Sequence, residues 1–424
     1  MGIKKIVVVH PTGNRNVRAI ISGFFNAGLL AEFDTTISIK YDAFWLCFIP
    51  GKIRQEFLRR TYPVKDELIW KHPFLELGRM LFPRIGLKSL TRHEVGLASV
   101  DSVYRNLDVA VARRTKELVK QKDIGAVYCY EDGALEVFKA AKKIGLTCVY
   151  DIPIAYWETS KSLMAEEAVR YPDWKMTLGG GTLDSKDKLT RKITELELAD
   201  IVVVSSTFVK DSLPAWAKDK KIIMSPFGSP TTAKPANKVK ASENNLKPLR
   251  VLFVGSMGQR KGLADLFAAI NLLDTDKVEL VVMGALSAPI EFYKEKLTRF
   301  TYEPGRPHED VLKLMRSCDV FCLPSIVEGR ALVMQEAMSQ GLPLIITPNT
   351  GGSDLIIDGK TGFLVPIRSP QVISEKILWF LNNRDKIPAM SIASQEHANK
   401  YSWEGYSSKI VSDVQIFLAD KADL

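Results

Sequence analysis

The feature that most constrains the fold of this chain is a strand–helix alternation that runs along it twice. Short β-branched runs, such as IVVV at residues 6–9 and 201–204, alternate with longer segments of helical periodicity. After residue 249 the same order begins again with LRVLFVG. Strands that are apolar on both faces and alternate with helices form parallel sheets with helices packed on either side. The sequence therefore predicts an α/β fold built from two consecutive parallel sheets.

A polar segment between the two alternations marks the expected domain boundary. Residues 229–249 contain proline, lysine and asparagine without periodicity, which is typical of a linker. We expect one Rossmann-like domain over residues 1–228 and a second over residues 250–402, with their sheets facing a central cleft. Ligands of open α/β sheets bind beyond the carboxyl ends of the strands. The loops that follow the strands are therefore the candidate site.

Two local predictions concern the first domain. Helical periodicity predicts a helix over residues 17–32, directly after the first strand. The glycine-rich, polar segment 174–188 predicts a loop, which is either a mobile flap over a site or a plain solvated connection.

The net charge of the chain indicates which classes of partner it favours. A formal net charge of +9 favours anionic partners, such as nucleic acids, acidic lipids or phosphorylated small molecules. Part of this charge is local, because residues 51–93 contain ten Lys or Arg and four Asp or Glu, interleaved with apolar residues. This segment is either a surface that faces the acceptor or a membrane, or a solvated pair of helices over the core.

Cysteine usage and hydropathy favour a cytoplasmic location. The five cysteines are odd in number and lack zinc-type spacing, so we expect reduced thiols in a reducing compartment. No apolar stretch approaches the roughly 20 residues of a transmembrane helix, and the first apolar run is too short for a signal peptide. We expect a cytoplasmic protein, placed at the inner face of the cytoplasmic membrane if segment 51–93 binds lipid.

The segment LPSIVEGRALVMQEAMSQGLPLIITPNTGG, residues 323–352, carries the strongest functional signal. It predicts a strand end at Pro324, a short loop with Glu328 and Gly329, and then a helix. The free amides at the start of such a helix, together with the helix dipole, form an anion site. We expect these amides at Gly329, Arg330, Ala331 and Leu332, with Gly329 allowing a ligand to approach the backbone closely.

Two carboxylates flank this anion site. Glu328 and Glu336 would lie about 80° apart around a helix and about 12 Å apart along it. On an ordinary surface helix such residues are solvated charges. At a helix terminus they suit a diphosphate between two hydroxyl-rich groups. A sugar nucleotide fits this description, with its sugar near Glu328 and its ribose near Glu336.

A basic loop in VGSMGQRKGLADLF, residues 254–267, is the second motif. It consists of a strand, a turn with Gly255 and Ser256, and a helix start preceded by Arg260 and Lys261. The two cations either neutralise a leaving nucleoside diphosphate or form a surface basic pair.

These motifs together resemble the donor site of the family 4, group 1 type glycosyltransferases, which have the GT-B architecture of two Rossmann-like domains. The resemblance covers residues 250–405 well and the N-terminal half loosely. Its matching residues are Pro324, Ser325, Glu328, Gly329, Leu332, Val333, Glu336, Ala337, Met338, Gly341, Pro343, Gly351, Gly352, Asp358, Gly359, Gly362 and Phe363.

The resemblance implies transfer of a sugar from a nucleoside-diphosphate sugar to a hydroxyl acceptor, with retention of anomeric configuration, in polysaccharide or glycolipid synthesis. It implies no cofactor beyond the donor, no metal and no nucleic acid partner. Glu328, Lys261 and Arg260 would be catalytic. The implied donor-binding residues are Gly255, Ser256, Arg260, Lys261, Glu328, Gly329, Arg330, Ala331, Leu332 and Glu336.

The chain departs from the family pattern at two points. Arg330 and Ala331 stand where the family often has an aromatic residue and a second glycine, and Arg330 would either add charge to the site or point to solvent. Ser256 stands where an arginine usually follows the first glycine, and Arg260 would take over part of its role. By the same resemblance, a C-terminal helix over residues 403–424 packs back on the first domain.

The acceptor side is less defined by sequence. The loop HPTGN brings His10, Gly13 and Asn14 to the end of the first strand, where it is either an ordinary turn or the cleft lining, with His10 as an acid or base. Asp151 and Tyr156 follow another strand and are further candidates. The acids Glu131 and Asp132 are at an equivalent strand end, as caps or facing the acceptor.

Other functions remain as alternatives. A sugar-nucleotide epimerase or a phosphorylase could use the same scaffold, and a non-catalytic basic binding protein would show salt-sensitive binding that is indifferent to Glu328. A dinucleotide oxidoreductase is disfavoured because neither first turn contains G-x-G-x-x-G. The DTD at residues 274–276 follows a helix and is interpreted as a turn rather than a metal site.

Overall fold

Two parallel sheets, one in each half of the chain, organise the computed structural model, which describes residues 4–179, 183–230 and 247–422. The first sheet contains β1 (Lys5–Val9), β2 (Leu30–Thr35), β3 (Ile69–Lys71), β4 (Ile124–Tyr130), β5 (Thr147–Ile152), β6 (Ile201–Val204) and β7 (Lys221–Met224). The second contains β8 (Leu249–Val254), β9 (Val278–Met283), β10 (Thr301–Glu303), β11 (Val320–Leu323), β12 (Leu344–Ile346) and β13 (Gly362–Leu364).

The order of the strands is doubly wound in both sheets. The first runs β3-β2-β1-β4-β5-β6-β7 and the second β10-β9-β8-β11-β12-β13, with parallel pairing throughout. The chain reverses its winding direction between β1 and β4 and between β8 and β11. At such switch points the loops diverge and leave a crevice for ligands. The predicted fold of two facing Rossmann-like sheets is confirmed.

Helices cover both faces of each sheet. In the first half they are α1 (Arg15–Asn26), α2 (Gly51–Leu58), α3 (Phe74–Leu81), α4 (Val100–Gln121), α5 (Leu135–Lys142), α6 (Trp157–Arg170), α7 (Lys186–Leu198) and α8 (Thr207–Ser212). In the second half they are α9 (Leu263–Leu273), α10 (Ile290–Lys296), α11 (His308–Arg316), α12 (Leu332–Ser339), α13 (Pro370–Asn382), α14 (Ile387–Ala398) and α15 (Trp403–Ala422).

The helix predicted over residues 17–32 is too long. Helix α1 ends at Asn26, Gly28 takes a left-handed φ of 71°, and strand β2 begins at Leu30. The strand was missed because it carries Glu32 and Asp34, which are nevertheless buried. Their carboxylates lie 2.8 Å from Arg114, which supplies the counter-charge that a buried acid requires.

The C-terminal helix α15 lies on the first sheet's side of the molecule. Its residues Ile410 and Val414 are fully buried in the same cluster as Ile20 and Phe24 of α1. The Ser225 hydroxyl, just after β7, donates to the Tyr406 carbonyl at 3.0 Å. The chain therefore crosses from the second half back to the first. Most of the predicted linker 229–249 lies outside the described residues.

The segment 174–188, predicted as a flap or solvated loop, begins with an anchor. Residues Pro172–Thr177 form a 3-10 helix that places Trp174 in the core of the second sheet. The Trp174 ring lies 5.0 Å from Phe292, 5.7 Å from Tyr293 and 5.8 Å from Phe267, between ring centroids. Residues 180–182 of the segment lie outside the described part of the chain.

A buried polar network joins the two halves beside this anchor. The Gln259 side-chain amide donates to Glu167 at 2.6 Å and to Asp265 at 2.8 Å. Arg170 pairs with Asp265 at 2.6 Å, and Arg368 pairs with Glu167 at 2.5 Å. Buried acids paired in this way fix the relative position of the segments that carry them, because separating them leaves unpaired charge.

The environments of the cysteines and the hydropathy of the helices agree with what the sequence predicts. Cys129, Cys148, Cys318 and Cys322 are buried free thiols, and Cys47 is exposed. Among the helices described, none has both the length and the apolar character needed to cross a membrane.

Replacing Trp174 by alanine should lower the free energy of unfolding by about 3–5 kcal/mol, because it removes a large side chain from the second core. The measurement is chemical denaturation followed by circular dichroism. The matched control is Trp216→Ala, which removes a side chain that is 46% exposed and should cost less than about 1 kcal/mol. Equal losses in the two variants would contradict the anchoring role of Trp174.

Candidate active site

A cleft of about 1200 Å³ separates the carboxyl ends of the two sheets. The first domain lines it with residues that follow β1 and β4, and the second with residues that follow β8 and β11, so both switch points open into it. The structure brings almost the whole predicted donor set together here, namely Gly255, Ser256, Arg260, Lys261, Glu328, Arg330, Ala331, Leu332 and Glu336.

A carboxylate and two cations meet in the cleft. The Glu328 Oε1 accepts from the Arg260 guanidinium at 2.5 Å and also contacts the Lys261 ammonium. Burial lowers the pKa of Lys261, while the Glu328 carboxylate opposes that shift. One negative charge facing two positive charges leaves a local positive excess. This excess suits a bound anion that can accept charge-assisted hydrogen bonds.

The start of helix α12 lies beside this cluster. The first amides of the helix, at Leu332 and Val333, are at positions that have no acceptor within a helix. One predicted donor is corrected, because the Ala331 amide donates to the Thr350 carbonyl at 3.2 Å. The predicted anion site would therefore depend on the helix start itself rather than on the Ala331 amide.

Gly329 has a different role from the one predicted. A side chain at this position would place its Cβ 1.8 Å from the Pro153 carbonyl oxygen of the first domain. The Gly329 carbonyl accepts from the Ser206 hydroxyl at 2.7 Å. Gly329 thus allows the loop between β11 and α12, residues 324–331, which we call the donor loop, to pack on the first domain. Gly329 is absent from the cleft lining among the described residues.

Arg330 lines the cleft without pointing to solvent, because it is buried and has Asp354 as its counter-charge. Its guanidinium donates to Asp354 at 2.7 Å and to the Gly351 carbonyl at 3.0 Å. Its Nε donates to Gln335 at 2.9 Å, and the Gln335 amide donates to the Phe227 carbonyl at 2.7 Å. Arg330 is therefore a buried, paired residue that connects the donor loop to the first domain.

Glu336 lies close to one basic residue from each domain. Its Oε1 lies 3.8 Å from the His308 Nδ1 and 4.0 Å from the Arg15 Nη1. Burial raises the pKa of Glu336, and the neighbouring His308 and Arg15 oppose that shift. Sequence reasoning missed Arg15. The sequence feature that could have identified Arg15 is its position at the start of α1, directly after the first βα loop.

The candidate residues in the loop after β1 line two different cavities. His10 and Asn14 line the cleft, and burial lowers the pKa of His10 to about 4, so this imidazole is neutral near pH 7. Gly13 lines a neighbouring cavity instead. A neutral His10 is an acceptor or a hydrogen-bond donor, rather than the charged acid that one of its predicted roles requires.

Asp151 and Tyr156 are corrected, since both lie beneath the cleft surface. The Tyr128 hydroxyl donates to Asp151 at 2.7 Å, and the Tyr406 hydroxyl lies 3.5 Å from the same oxygen. Burial raises the pKa of Asp151 to about 7, and the two tyrosine hydrogen bonds oppose it. Tyr156 is fully buried in the first-domain core. Strand ends alone could not distinguish a side chain that faces the cleft from one that faces the core.

Acids and lysines of the first domain, namely Glu131, Asp132, Asp184, Lys188 and Lys192, form a charged wall of the cleft, of which the sequence predicted only the first two. Glu131 and Asp132 line the cleft, and Lys192 of α7 lies 3.0 Å from Glu131 and 3.6 Å from Asp132. Lys188 pairs with Asp184 at 2.9 Å. The sequence signal was the four-residue spacing of the two lysines, which places them on one face of the helix that follows the glycine-rich segment.

One grouping of possible metal ligands forms at the rim of this wall. His93, Glu94 and Asp184 each offer a ligand atom within 4.8 Å of the others. Their separation of about 90 positions along the chain hides the group from sequence inspection. Because Lys188 already pairs with Asp184, the group has a cation beside it in this arrangement.

Two doubly wound sheets that face each other across such a cleft define the GT-B fold. Sucrose-phosphate synthase from Thermosynechococcus elongatus superposes with a TM-score of 0.66 at 16% identity, over 98% of this chain and 100% of that one. Anabaena Alr3699/HepE in complex with UDP superposes with a TM-score of 0.60 at 13% identity, over 97% and 99%.

The family model of the group 1 glycosyl transferases matches residues 236–397 of this chain. An uncharacterized glycosyltransferase of Methanocaldococcus jannaschii is 32% identical over 36% of this chain and 44% of its own length. A D-inositol 3-phosphate glycosyltransferase of Corynebacterium diphtheriae is 26% identical, over 54% and 60%. Sulfoquinovosyl transferase of Arabidopsis thaliana is 31% identical, over 39% and 32%. The chain thus spans 32–60% of the length of these relatives.

Asp151→Asn should change how stability depends on pH. The pKa of Asp151 is about 7 in the folded chain and near 3.8 when unperturbed, so the contribution of Asp151 to stability falls as pH rises between these values. The slope from this one group is at most about 1.4 kcal/mol per pH unit. The stability of the variant relative to the unmodified chain should therefore rise by a few kcal/mol from pH 4 to pH 7.

The measurement is denaturant unfolding at several pH values. Asp276→Asn, at an exposed position, is the control and should retain the unmodified pH profile. Parallel profiles for Asp151→Asn and the unmodified chain would show that Asp151 is not held in this buried, protonation-sensitive state.

Proposed function

We propose that this chain transfers a sugar from a nucleoside-diphosphate sugar to a hydroxyl acceptor, with retention of configuration and without a metal or other cofactor. The observation that carries the proposal is the cluster of Arg260, Lys261 and Glu328 beside the start of α12, inside the cleft. Two cations and a helix terminus suit the diphosphate of a donor. The acid beside them suits the hydroxyl groups of its sugar.

The proposed mechanism is mainly electrostatic. Lys261 and Arg260 hold the leaving diphosphate while an oxocarbenium-like sugar meets the acceptor hydroxyl on the same face. Because Glu328 now pairs with both cations, an arriving diphosphate competes with it for them. This competition would free the carboxylate for the sugar. A covalent sugar–enzyme intermediate on a glutamate is the mechanistic alternative.

The relatives support the donor class and suggest what to try first. A D-inositol 3-phosphate glycosyltransferase and a sulfoquinovosyl transferase are among the proteins similar to this chain, and one solved neighbour is a complex with UDP. We therefore propose UDP and its sugars as the first ligands to test. Glu336, with Arg15 and His308 around it, is proposed to face the ribose.

Lys261→Met should weaken nucleoside diphosphate binding by roughly 10- to 100-fold, because it removes a charge-assisted contact to phosphate. The measurement is a thermal-shift screen of UDP, GDP, ADP and their sugars, followed by titration calorimetry. Lys294→Met, at an exposed position of α10, is the matched control and should bind normally. Salt-sensitive binding that is equal in both variants would favour a non-catalytic basic protein instead.

Two glutamate variants separate binding from transfer. Glu328→Ala should abolish sugar transfer while the nucleotide still binds, and Glu336→Ala should weaken nucleotide binding. Product formed from the donor without any acceptor would favour a sugar-nucleotide epimerase.

We also propose that the chain works at the inner face of the cytoplasmic membrane, on a polysaccharide or glycolipid acceptor. Large apolar side chains of the first domain face solvent around segment 51–93: Phe44 is 79% exposed, Phe48 74% and Phe74 77%. The same region carries the excess of Lys and Arg seen in the sequence. Apolar and basic side chains on one surface bind anionic lipid cooperatively.

The triple variant Phe44→Ser, Phe48→Ser and Phe74→Ser should lose most binding to vesicles that contain phosphatidylglycerol, measured by flotation. Each buried phenylalanine contributes roughly 1.5–3 kcal/mol. Val169→Ser, which removes an 81% exposed side chain of α6, should float like the unmodified chain. Failure of the unmodified chain to float with these vesicles would exclude the membrane proposal.

A further inference from the structure

A second cavity, of about 680 Å³, lies in the first domain. One wall is the loop after β1, residues 12–14, together with Arg18 of α1. The other wall comes from residues 56–60 and 79–84. Asn14 lines both this cavity and the cleft, so the two spaces adjoin. We call this cavity the arginine pocket.

The arginine pocket has more positive charge than its acids compensate. The arginines that line it are Arg18, Arg59, Arg60, Arg79 and Arg84. Glu76 accepts from both Arg60 and Arg79, the latter at 2.6 and 2.7 Å. Glu56 accepts from Arg84 at 2.7 and 2.8 Å. In the part of the chain that the structure describes, Arg18 and Arg59 have no carboxylate partner.

Arg18 lacks both a counter-charge and part of its hydrogen bonding. Its Nη2 donates to the Arg59 carbonyl, but its Nε is buried and has no hydrogen-bond partner among the described residues. Burial lowers the pKa of Arg18; the neighbouring Tyr62 opposes this shift and the charge of Arg15 adds to it. A partly buried cation without a counter-charge is unfavourable, and an anion in the pocket would remove that cost.

The walls of the arginine pocket are held together by a close contact. A Cβ at Gly13 would lie 2.3 Å from the Tyr62 ring, so only glycine allows this tyrosine to pack on the loop. The Tyr62 hydroxyl lies 3.3 Å from the Thr35 hydroxyl at the end of β2. The contact fixes the segment that carries Arg59 and Arg60 against the loop that borders the cleft.

We propose that the arginine pocket binds a phosphate or diphosphate group of the acceptor, while the acceptor's hydroxyl group reaches the cleft through the gap at Asn14. Guanidinium groups recognise phosphate through pairs of parallel hydrogen bonds, and several converge here. The pocket volume lies in the range of small-molecule sites, so it accommodates a diphosphate. The inference rests on the proposed transfer function and assigns it an anionic acceptor.

The test uses pyrophosphate as the ligand, titrated calorimetrically into the full chain. Arg18→Gln and Arg59→Gln should each weaken its binding roughly tenfold or more, since each removes a charged hydrogen-bonding group. Arg54→Gln is the matched control: it lies on α2, the helix that directly precedes Arg59, is exposed, and is not part of the pocket lining. Two pocket variants are used because Arg18 also holds the Arg59 backbone.

Pyrophosphate could also occupy the donor site, and Lys261→Gln identifies that contribution. Binding that is lost only in Lys261→Gln and unchanged in both pocket variants would overturn the inference. Nucleoside diphosphate binding should persist in Arg18→Gln. If the unmodified chain bound no nucleoside diphosphate, the proposed function would fail, whereas the anion affinity of the pocket would remain measurable.

Two competitors identify the source of the phosphate. Displacement of pyrophosphate by glucose 6-phosphate indicates a soluble phosphorylated acceptor. Displacement by vesicles of phosphatidic acid in phosphatidylcholine, but not by the sugar phosphate, indicates a lipid-borne one. If neither displaces pyrophosphate from the Lys261→Gln variant, the pocket does not bind acceptor phosphate.

Discussion

The position of one domain relative to the other is the constraint on which the site depends. Each sheet creates a crevice at its own switch point, but a cleft between them exists only when the two crevices face each other. Trp174 of the first half is buried among the aromatic residues of the second, and the Gln259 amide bridges Glu167 and Asp265 beside it. Gly329 completes the alignment by allowing the donor loop to touch the backbone of Pro153.

The fold could be predicted because the strands repeat one simple pattern. Runs such as IVVV are apolar on both faces, which is the pattern of a central parallel strand. Strand β2 was missed because its Glu32 and Asp34 break that pattern, and their partner Arg114 lies about 80 positions further along the chain. The anchor at Trp174 was missed for a similar reason, because a local sequence does not show which core will receive an aromatic side chain.

The residues predicted for the donor side lie together in the cleft more completely than those predicted for the acceptor side, and the physical reason is locality. Lys261 and Glu328 each lie in a loop directly after a strand at the same switch point, so the fold alone brings them together. Arg330 was misjudged because its partner Asp354 lies in another loop. Asp151 also follows the rule for strand ends, yet its side chain points to Tyr128 in the core.

The same pattern of charge compensation is found at the two proposed anion sites. At Glu328, one carboxylate faces Arg260 and Lys261, and in the arginine pocket Arg18 and Arg59 have no acidic partner among the described residues. On the charged wall of the first domain, by contrast, Lys188 and Lys192 of α7 each pair with nearby acids. Uncompensated cations attract anions, whereas a wall whose lysines are paired has no such uncompensated positive charge. Such an arrangement suits two phosphorylated substrates whose neutral, hydroxyl-rich parts meet between the two anion sites.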